Sequence, residues 1–432
     1  MELSHDSRAA RRAILALCIF IALILSYQSV QLAISDALVR SDNPANIARG
    51  VSLEPGNGDA WDRLGRFHEW DFTNPNPALA ASEYLHATQD DPNSARFLMD
   101  LASAYEANGE IGLAEQAWSH AWTVYPSSAE VEWNYGNFLL RQENFAEGYA
   151  LIRQAVTTEP SLLPLAISRT WRASQDIPAL LDQALPATPS AYFQALDFFA
   201  SIGNTDAGLE VWRRIVALHQ RIALPQTFPF FQALIEADRS AEARRTWSEA
   251  IAAAGLPREN ESVPSLVWNG DFSLAIQNGG LGWRWSNPVG ANLDFDAPPP
   301  GCPGRSVRID FDGGSNIDLS QPVEYIPVEP DRAYHFRTLI RTQGITTESG
   351  LGFLLTDANH DGALNESAGS LTGTNPWTPV DAVFTTGSGT HFLRLCLRRA
   401  PSRLFDSKLG GSVWIANVSL VESGVRAEER SK

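Results

Sequence analysis

The chain is 432 residues long, 44% apolar and 19% charged, a composition that supports two or three domains with hydrophobic cores and excludes a disordered or collagen-like polymer. Its formal charge of −17 sets up a field that repels phosphate backbones, so no nucleic acid is expected among its partners. Only Lys408 and Lys432 are Lys, and the three cysteines Cys18, Cys302 and Cys396 are too few for a zinc domain or a disulfide scaffold.

Residues 1–12 carry Arg8, Arg11 and Arg12, and residues 13–34 carry no charge. About 20 helical residues at 1.5 Å each match a hydrocarbon core of roughly 30 Å, so 13–34 is predicted to be a transmembrane signal anchor. The positive-inside bias keeps 1–12 in the cytoplasm and makes the chain a single-pass protein of the inner (cytoplasmic) membrane, with its bulk periplasmic. A cleaved signal peptide competes with this reading, because Ser35-Asp36-Ala37 offers small residues to a peptidase. Either way the larger domains are exported, after a linker at 35–57.

From 58 to 255 the composition is helical, rich in Ala, Leu, Glu and Arg. Pro92, Pro126 and Pro160 recur 34 residues apart, each placed to close one helix pair before the next. Within one period Leu98, Leu101, Ala102 and Tyr105 trace a helix face, Ala114, Trp118 and Ala121 a second, and Asn108-Gly109 the turn between them. These spacings, with Trp61-Asp62-Arg63-Leu64-Gly65 upstream and Tyr135-Gly136, Leu139, Gly148 and Ala155 downstream, resemble the tetratricopeptide repeat. Gly203, Gly208 and Trp212, then Ala243, Trp247 and Ala250, continue the pattern to five or six units. Pro164, Pro178 and Pro186 predict one irregular unit, and Thr73 to Pro77 an insertion in the first.

The resemblance implies a groove lined by the first helix of each pair, where a protein partner binds. Its candidate positions are Asp62, Arg66 and Glu69, then Arg96, Met99 and Glu106, then Trp133, Asn137 and Arg141. Trp133 is read either as an interface anchor or as packing against the adjacent unit.

Beyond a linker at 256–266, residues 267–421 are rich in Gly, Asp, Thr and Pro, with a flexible tail at 422–432. Strands are predicted at Val307–Phe311, Tyr334–Ile340, Gly352–Leu355, Val380–Thr385, Phe392–Arg398 and Val413–Leu420, an antiparallel β-sandwich. Alternation places Val307, Ile309, Phe311, Leu393, Leu395 and Leu397 inward, and Arg308, Asp310, Arg394 and Arg398 outward. Asn269-Gly270-Asp271-Phe272 with Gly282-Trp283, then Trp377-Thr378-Pro379-Val380, then the closing run Gly411 to Leu420, resemble carbohydrate-binding modules of the galactose-binding, jelly-roll type. The whole is therefore a multidomain α plus β protein: transmembrane helix, all-α repeat solenoid and C-terminal jelly roll.

That resemblance implies a polysaccharide ligand. Trp283, Trp285 and Trp377 are candidates to stack on pyranose rings, with Trp283 and Trp377 equally readable as packing residues. Arg337, Arg394 and Arg398, beside Arg308, Asp310 and His335, are candidates to pair with an acidic glycan. Asp357, Asn359 and Asp361 open a D-x-N-x-D-G calcium loop, but its twelfth position is Ala368, so a hairpin turn is the competing reading. Cys302 and Cys396 are a candidate disulfide in an oxidising compartment.

No phosphate loop, metal cluster, nucleophile elbow or Cys-His pair is visible, so no catalysis and no resident cofactor other than calcium are expected. The expected function is a membrane-anchored extracytoplasmic adaptor, repeats holding a protein and sandwich holding glycan, in envelope or exported polysaccharide assembly. The alternative is a protein scaffold whose sandwich binds no sugar.

Overall fold

The computed structural model describes residues 6–71, 74–257, 265–405 and 407–423, with side chains from residue 10 onward. Arg8's side chain, Thr73 in the expected insertion, linker residues 258–264 and the tail from 424 lie outside the described residues. The chain divides into two compact units, Met1–Pro186 and Ala187–Lys432.

In the first unit, α1 (Asp6–Val39) is one continuous helix. Its 30 residues from Ala10 to Val39 are long and apolar enough to cross a membrane, as an anchor or as a signal sequence. The helix outruns the expected span because α2 (Pro44–Leu53) folds back along its last turns: Ser35 Oγ donates to the Gly50 carbonyl at 3.0 Å, and Ile47 and Val51 are buried beside Val39.

Three regular helix pairs follow: α3 (Gly58–Glu69) with α4 (Pro77–Asp90), α5 (Ala95–Ala107) with α6 (Ile111–Val124), and α7 (Ala129–Arg141) with α8 (Phe145–Thr158). Side-chain oxygens of Asn57, Asn76 and Ser128 accept from backbone N–H groups at the starts of α3, α4 and α7, satisfying donors that a helix start leaves orphaned. Pro92, Pro126 and Pro160 each stand two residues past α4, α6 and α8. Small residues let paired helices close up: a Cβ on Gly65 would lie 2.7 Å from the Tyr84 ring. The irregular unit is α9 (Leu163–Ser174) followed by one turn, α10 (Ile177–Ala179), and a π-helical turn at Leu180–Ala184.

The second unit begins with α11 (Pro189–Ser201) and α12 (Thr205–Ala217), then α13 (Phe228–Glu236) and α14 (Ser240–Ala253). Trp212 and Trp247 are buried here as Trp118 is in the first unit, which completes a tetratricopeptide-type series. The remainder is a jelly-roll-type sandwich of nine antiparallel strands among the described residues. One sheet has the order β1 (Ala291–Asp296), β2 (Ser306–Asp312), β9 (Gly410–Glu422), β4 (Ala333–Ile345), β7 (Gly373–Thr385). The other runs β3 (Leu319–Pro327), β8 (Phe392–Arg399), β5 (Leu351–Asp357), β6 (Asn365–Leu371). All six predicted strands are present, and β1, β3 and β6 are additional. Ile309, Phe336, Phe353, Leu395 and Ile415 fill the space between the sheets.

The sandwich is seated on α13 and α14. The indole of Trp247 meets Trp268 edge-on at 5.4 Å, and a Cβ on Gly280 would lie 2.2 Å from Trp247, so only glycine allows this approach. Arg244 donates to the Pro327 carbonyl at 2.9 Å, and Arg284 to Gln232 Oε1 at 3.1 Å.

Candidate functional site

Alternation along β4 turns Tyr334, Phe336 and Ile340 into the core and His335, Arg337, Leu339 and Arg341 outward. Pairing sets Pro379, Asp381 and Val383 of β7 beside Leu339, Arg337 and His335, and Trp414 of β9 beside Arg341. Trp377 shares the outward parity of Pro379 and is half-buried, near a bulge in the β4–β7 register. This outer face of the five-stranded sheet holds a pocket of about 280 Å³, with Leu339 and Pro379 as apolar lining and Arg337, His335, Asp381 and Asn417 as polar lining.

Its polar groups lie close together. Arg337 Nε donates to His335 Nε2 at 3.1 Å, and that nitrogen lies 3.4 Å from Asp381 Oδ2. The Arg341 guanidinium lies 4.6 Å from the centre of the Trp414 ring, whose Nε1–H donates to Asp296 at 2.8 Å. That indole hydrogen bond and the Arg308 guanidinium hold the Asp296 carboxyl below the usual carboxylate range. Arg308 itself faces Asp294, Asp296 and Asp310 at 3.4, 3.1 and 3.0 Å, so it is already neutralised. Apolar lining beside convergent donors and acceptors is the composition of a ligand pocket.

The other expected glycan residues lie elsewhere. Trp283 is fully buried against Phe272, and Trp285 is buried in the same core; neither presents a ring to a ligand. The correction follows from Arg284, whose backbone bridges Val323 and draws both flanking indoles under the sheets. Arg394 and Arg398 point outward as expected, but from β8, in the opposite sheet to Arg337. Arg394 donates to the Ser320 carbonyl and the Cys396 thiol, and Arg398 binds Asp318 and the Leu319 carbonyl. Trp414, Arg341, Asp381 and Asn417 also lie on this face and are not among the residues expected there; Trp414 belongs to the closing run Gly411 to Leu420, and Arg341 continues the period-two pattern of Arg337.

The expected calcium loop is instead a joint. Asp357 Oδ1 accepts from the N–H groups of Asn359 and His360, and Asn359 Nδ2 donates to the Ile235 carbonyl and to Asp238 Oδ1, both at 2.6 Å. Asp361 is exposed, and no group of three His, Cys, Asp or Glu is placed to hold a metal among the described residues. Cys302 and Cys396 are free thiols rather than a disulfide; Cys396 is fully buried within β8, and burial pushes its thiol up.

Among the expected groove residues, the arginines already have acidic partners one repeat away. Arg66 donates to Asp100 at 2.8 and 3.1 Å, Arg141 to Glu106 at 2.6 and 2.8 Å, and Arg96 to Asp59. Trp133 is 9% exposed with Arg169 at 5.1 Å from its ring centre, and Asn137 donates to its carbonyl. Packing is therefore the reading that describes Trp133. Asp62 is 3% exposed, and burial, with the neighbouring Asp100 carboxylate, raises its carboxyl to about 7.

No protein-family model and no curated protein matches the sequence. Among solved structures, a crystal structure of MamA is 13% identical at a TM-score of 0.27, covering 40% of this chain and 85% of that one. YrrB, a TPR protein with an unusual peptide-binding site, is 11% identical at 0.26, covering 48% and 92%. A CBM4 structure is 13% identical at 0.28, covering 36% of this chain and 99% of its own.

Proposed function

We propose that the protein is a non-catalytic adaptor, anchored in the inner membrane by α1 with its bulk in the periplasm, whose repeats hold a protein and whose sandwich holds a polysaccharide during envelope or exported polysaccharide assembly. The observation that carries the glycan half is the pocket of Arg337, His335, Asp381 and Asn417 around Leu339 and Pro379. Its hydroxyl-matching groups and apolar lining suit a sugar edge and its C–H face. Among the described residues, Arg337 and Arg341 have no carboxylate within salt-bridge distance, and this favours a glycan bearing carboxylates. Full-length protein in detergent, titrated against an array that includes uronic-acid polymers, tests this reading: saturable binding lost in Arg337→Ala supports it, and no binding by folded protein removes it.

The scaffold alternative has its own observation. The joint through Trp247, Trp268 and Asn359 makes the sandwich an extension of the last helix pair. If no glycan binds, that packed connection leaves protein binding as the function.

A further inference from the structure

On the outer face of β4, the hydrogen bond between Arg337 and His335 fixes the state of the imidazole. A guanidinium has N–H donors and no acceptor. His335 Nε2, which receives Arg337 Nε–H at 3.1 Å, therefore holds a lone pair, and the ring is neutral with its proton on Nδ1. The same nitrogen stands 3.4 Å from Asp381 Oδ2. A lone pair facing a carboxylate gains nothing, whereas a proton on Nε2 turns that approach into an ion pair. Nε2 thus serves one of two partners: unprotonated it accepts from Arg337, and protonated it donates to Asp381 and releases Arg337. Few other charges bear on the choice. Besides these three residues, β4 carries only Arg341, which lies over Trp414; β7 carries no other charged residue, and β9 only Glu422, 3.6 Å from Arg332.

We infer that His335 couples the binding of a carboxylated glycan in this pocket to the uptake of a proton. The inference rests on the reading of the pocket as a glycan site. A ligand carboxylate that takes the Arg337 fork through Nε and one Nη withdraws the Nε–H from His335. The freed lone pair is then left facing Asp381, and a proton taken from solvent onto Nε2 removes that conflict. Histidine changes charge between about pH 5 and 8, a range over which ordinary carboxylates stay ionised. Linkage is reciprocal, so lower pH favours the acidic ligand as the ligand favours the proton. A neutral sugar leaves the Arg337–His335 bond in place and takes up no proton.

The test titrates full-length protein in detergent with tetragalacturonate and with its methyl ester, which keeps the sugars and lacks the charges. From about pH 7.5 to about pH 5.5 the acid is expected to bind about five-fold tighter and the ester equally at both. Calorimetry in buffers of different ionisation enthalpy reads the proton taken up. His335→Gln, whose amide oxygen still accepts from Arg337, is expected to bind the acid equally at both pH values. Equal affinity of the unaltered protein at both, or a slope that survives in His335→Gln, overturns the coupling and leaves the glycan site standing. A second measurement needs no ligand: imidazole nitrogen shifts, assigned by comparison with His335→Gln, are expected to show the Nδ1–H tautomer at about pH 8. An Nε2–H tautomer there overturns the coupling whatever binds. Folded protein that binds neither tetragalacturonate nor any other uronic-acid polymer removes the carboxylated-glycan reading, and the coupling with it.

Discussion

On β8, Arg394 and Arg398 direct their guanidinium groups to Ser320 and Leu319 carbonyls, Asp318 and a thiol, while on β4 Arg337 meets a histidine and Arg341 lies over an indole. The outward positions Phe392 and Cys396 of β8 are fully buried, whereas Val383 beside His335 is 64% exposed. The four-stranded sheet therefore uses these outer arginines to hold strands together; the five-stranded sheet does the same with Arg308 across β1 and β2, but along β4 and β7 it leaves Arg337 and Val383 facing solvent. An arginine on a strand signals ligand binding only where neighbouring backbone and carboxylates leave its donors unclaimed.

The contrast is sharpest between buried and outward aromatics. Trp283→Ala removes a fully buried indole and is expected to lower unfolding free energy by about 3–5 kcal/mol, read by denaturant unfolding of the sandwich. Trp377→Ala, on the open face, is expected to change stability by under about 1 kcal/mol yet to weaken glycan binding. Equal destabilisation by both would place Trp377 in the core and break the comparison.

In the helix pairs the same question attaches to Asp62. Its carboxyl is raised to about 7 by burial first and by the neighbouring Asp100 second, against an ordinary value near 3.8. The folded state therefore holds a proton that the unfolded chain has released, and the resulting stabilisation is complete below about pH 4 and is lost as pH rises through about 7. The linkage amounts to a few kcal/mol, at most about 4. Asp62→Asn is expected to flatten this slope in thermal melts between pH 5 and 8; an unchanged slope would contradict the burial argument.

Smaller effects separate the two arginine sets. Arg337→Ala is expected to weaken glycan binding about ten-fold, or about 1.4 kcal/mol, with an unchanged melting temperature. Arg394→Ala is expected to leave binding intact and cost about 1 kcal/mol of stability. The smallest expected effect is none: chelator and millimolar calcium should give the same melting temperature, because Asn359 presents its amide N–H groups to α13 rather than an oxygen to a cation. A calcium-dependent rise would restore the loop as a metal site.

Sequence carried the helix pairs well because their determinants are local. Pro92, Pro126 and Pro160 mark helix exits, and Trp118, Trp212 and Trp247 recur at one buried position. Period-two alternation likewise placed Ile309 and Leu395 inside, and Arg308 and Arg394 outside. It did not tell which sheet each strand joins, so Arg337 and Arg394 were grouped on one face although β4 and β8 belong to different sheets. The contacts of the Asp357–Asp361 loop were hidden for a related reason. Its partners Ile235 and Asp238 stand 124 and 121 residues away from Asn359, a separation at which spacing carries no signal. Arg66 and Arg141 are about half exposed, but the carboxylates that claim them come from the adjacent repeat, which spacing within one repeat does not reveal.

The open face of the five-stranded sheet is tested most directly by calorimetric titration of full-length protein with the best-binding glycan, comparing Arg337→Ala with Arg394→Ala. A ten-fold loss in the first and none in the second is the predicted result. Equal losses, or a loss only in Arg394→Ala, would contradict the assignment of the site to the β4–β7–β9 face.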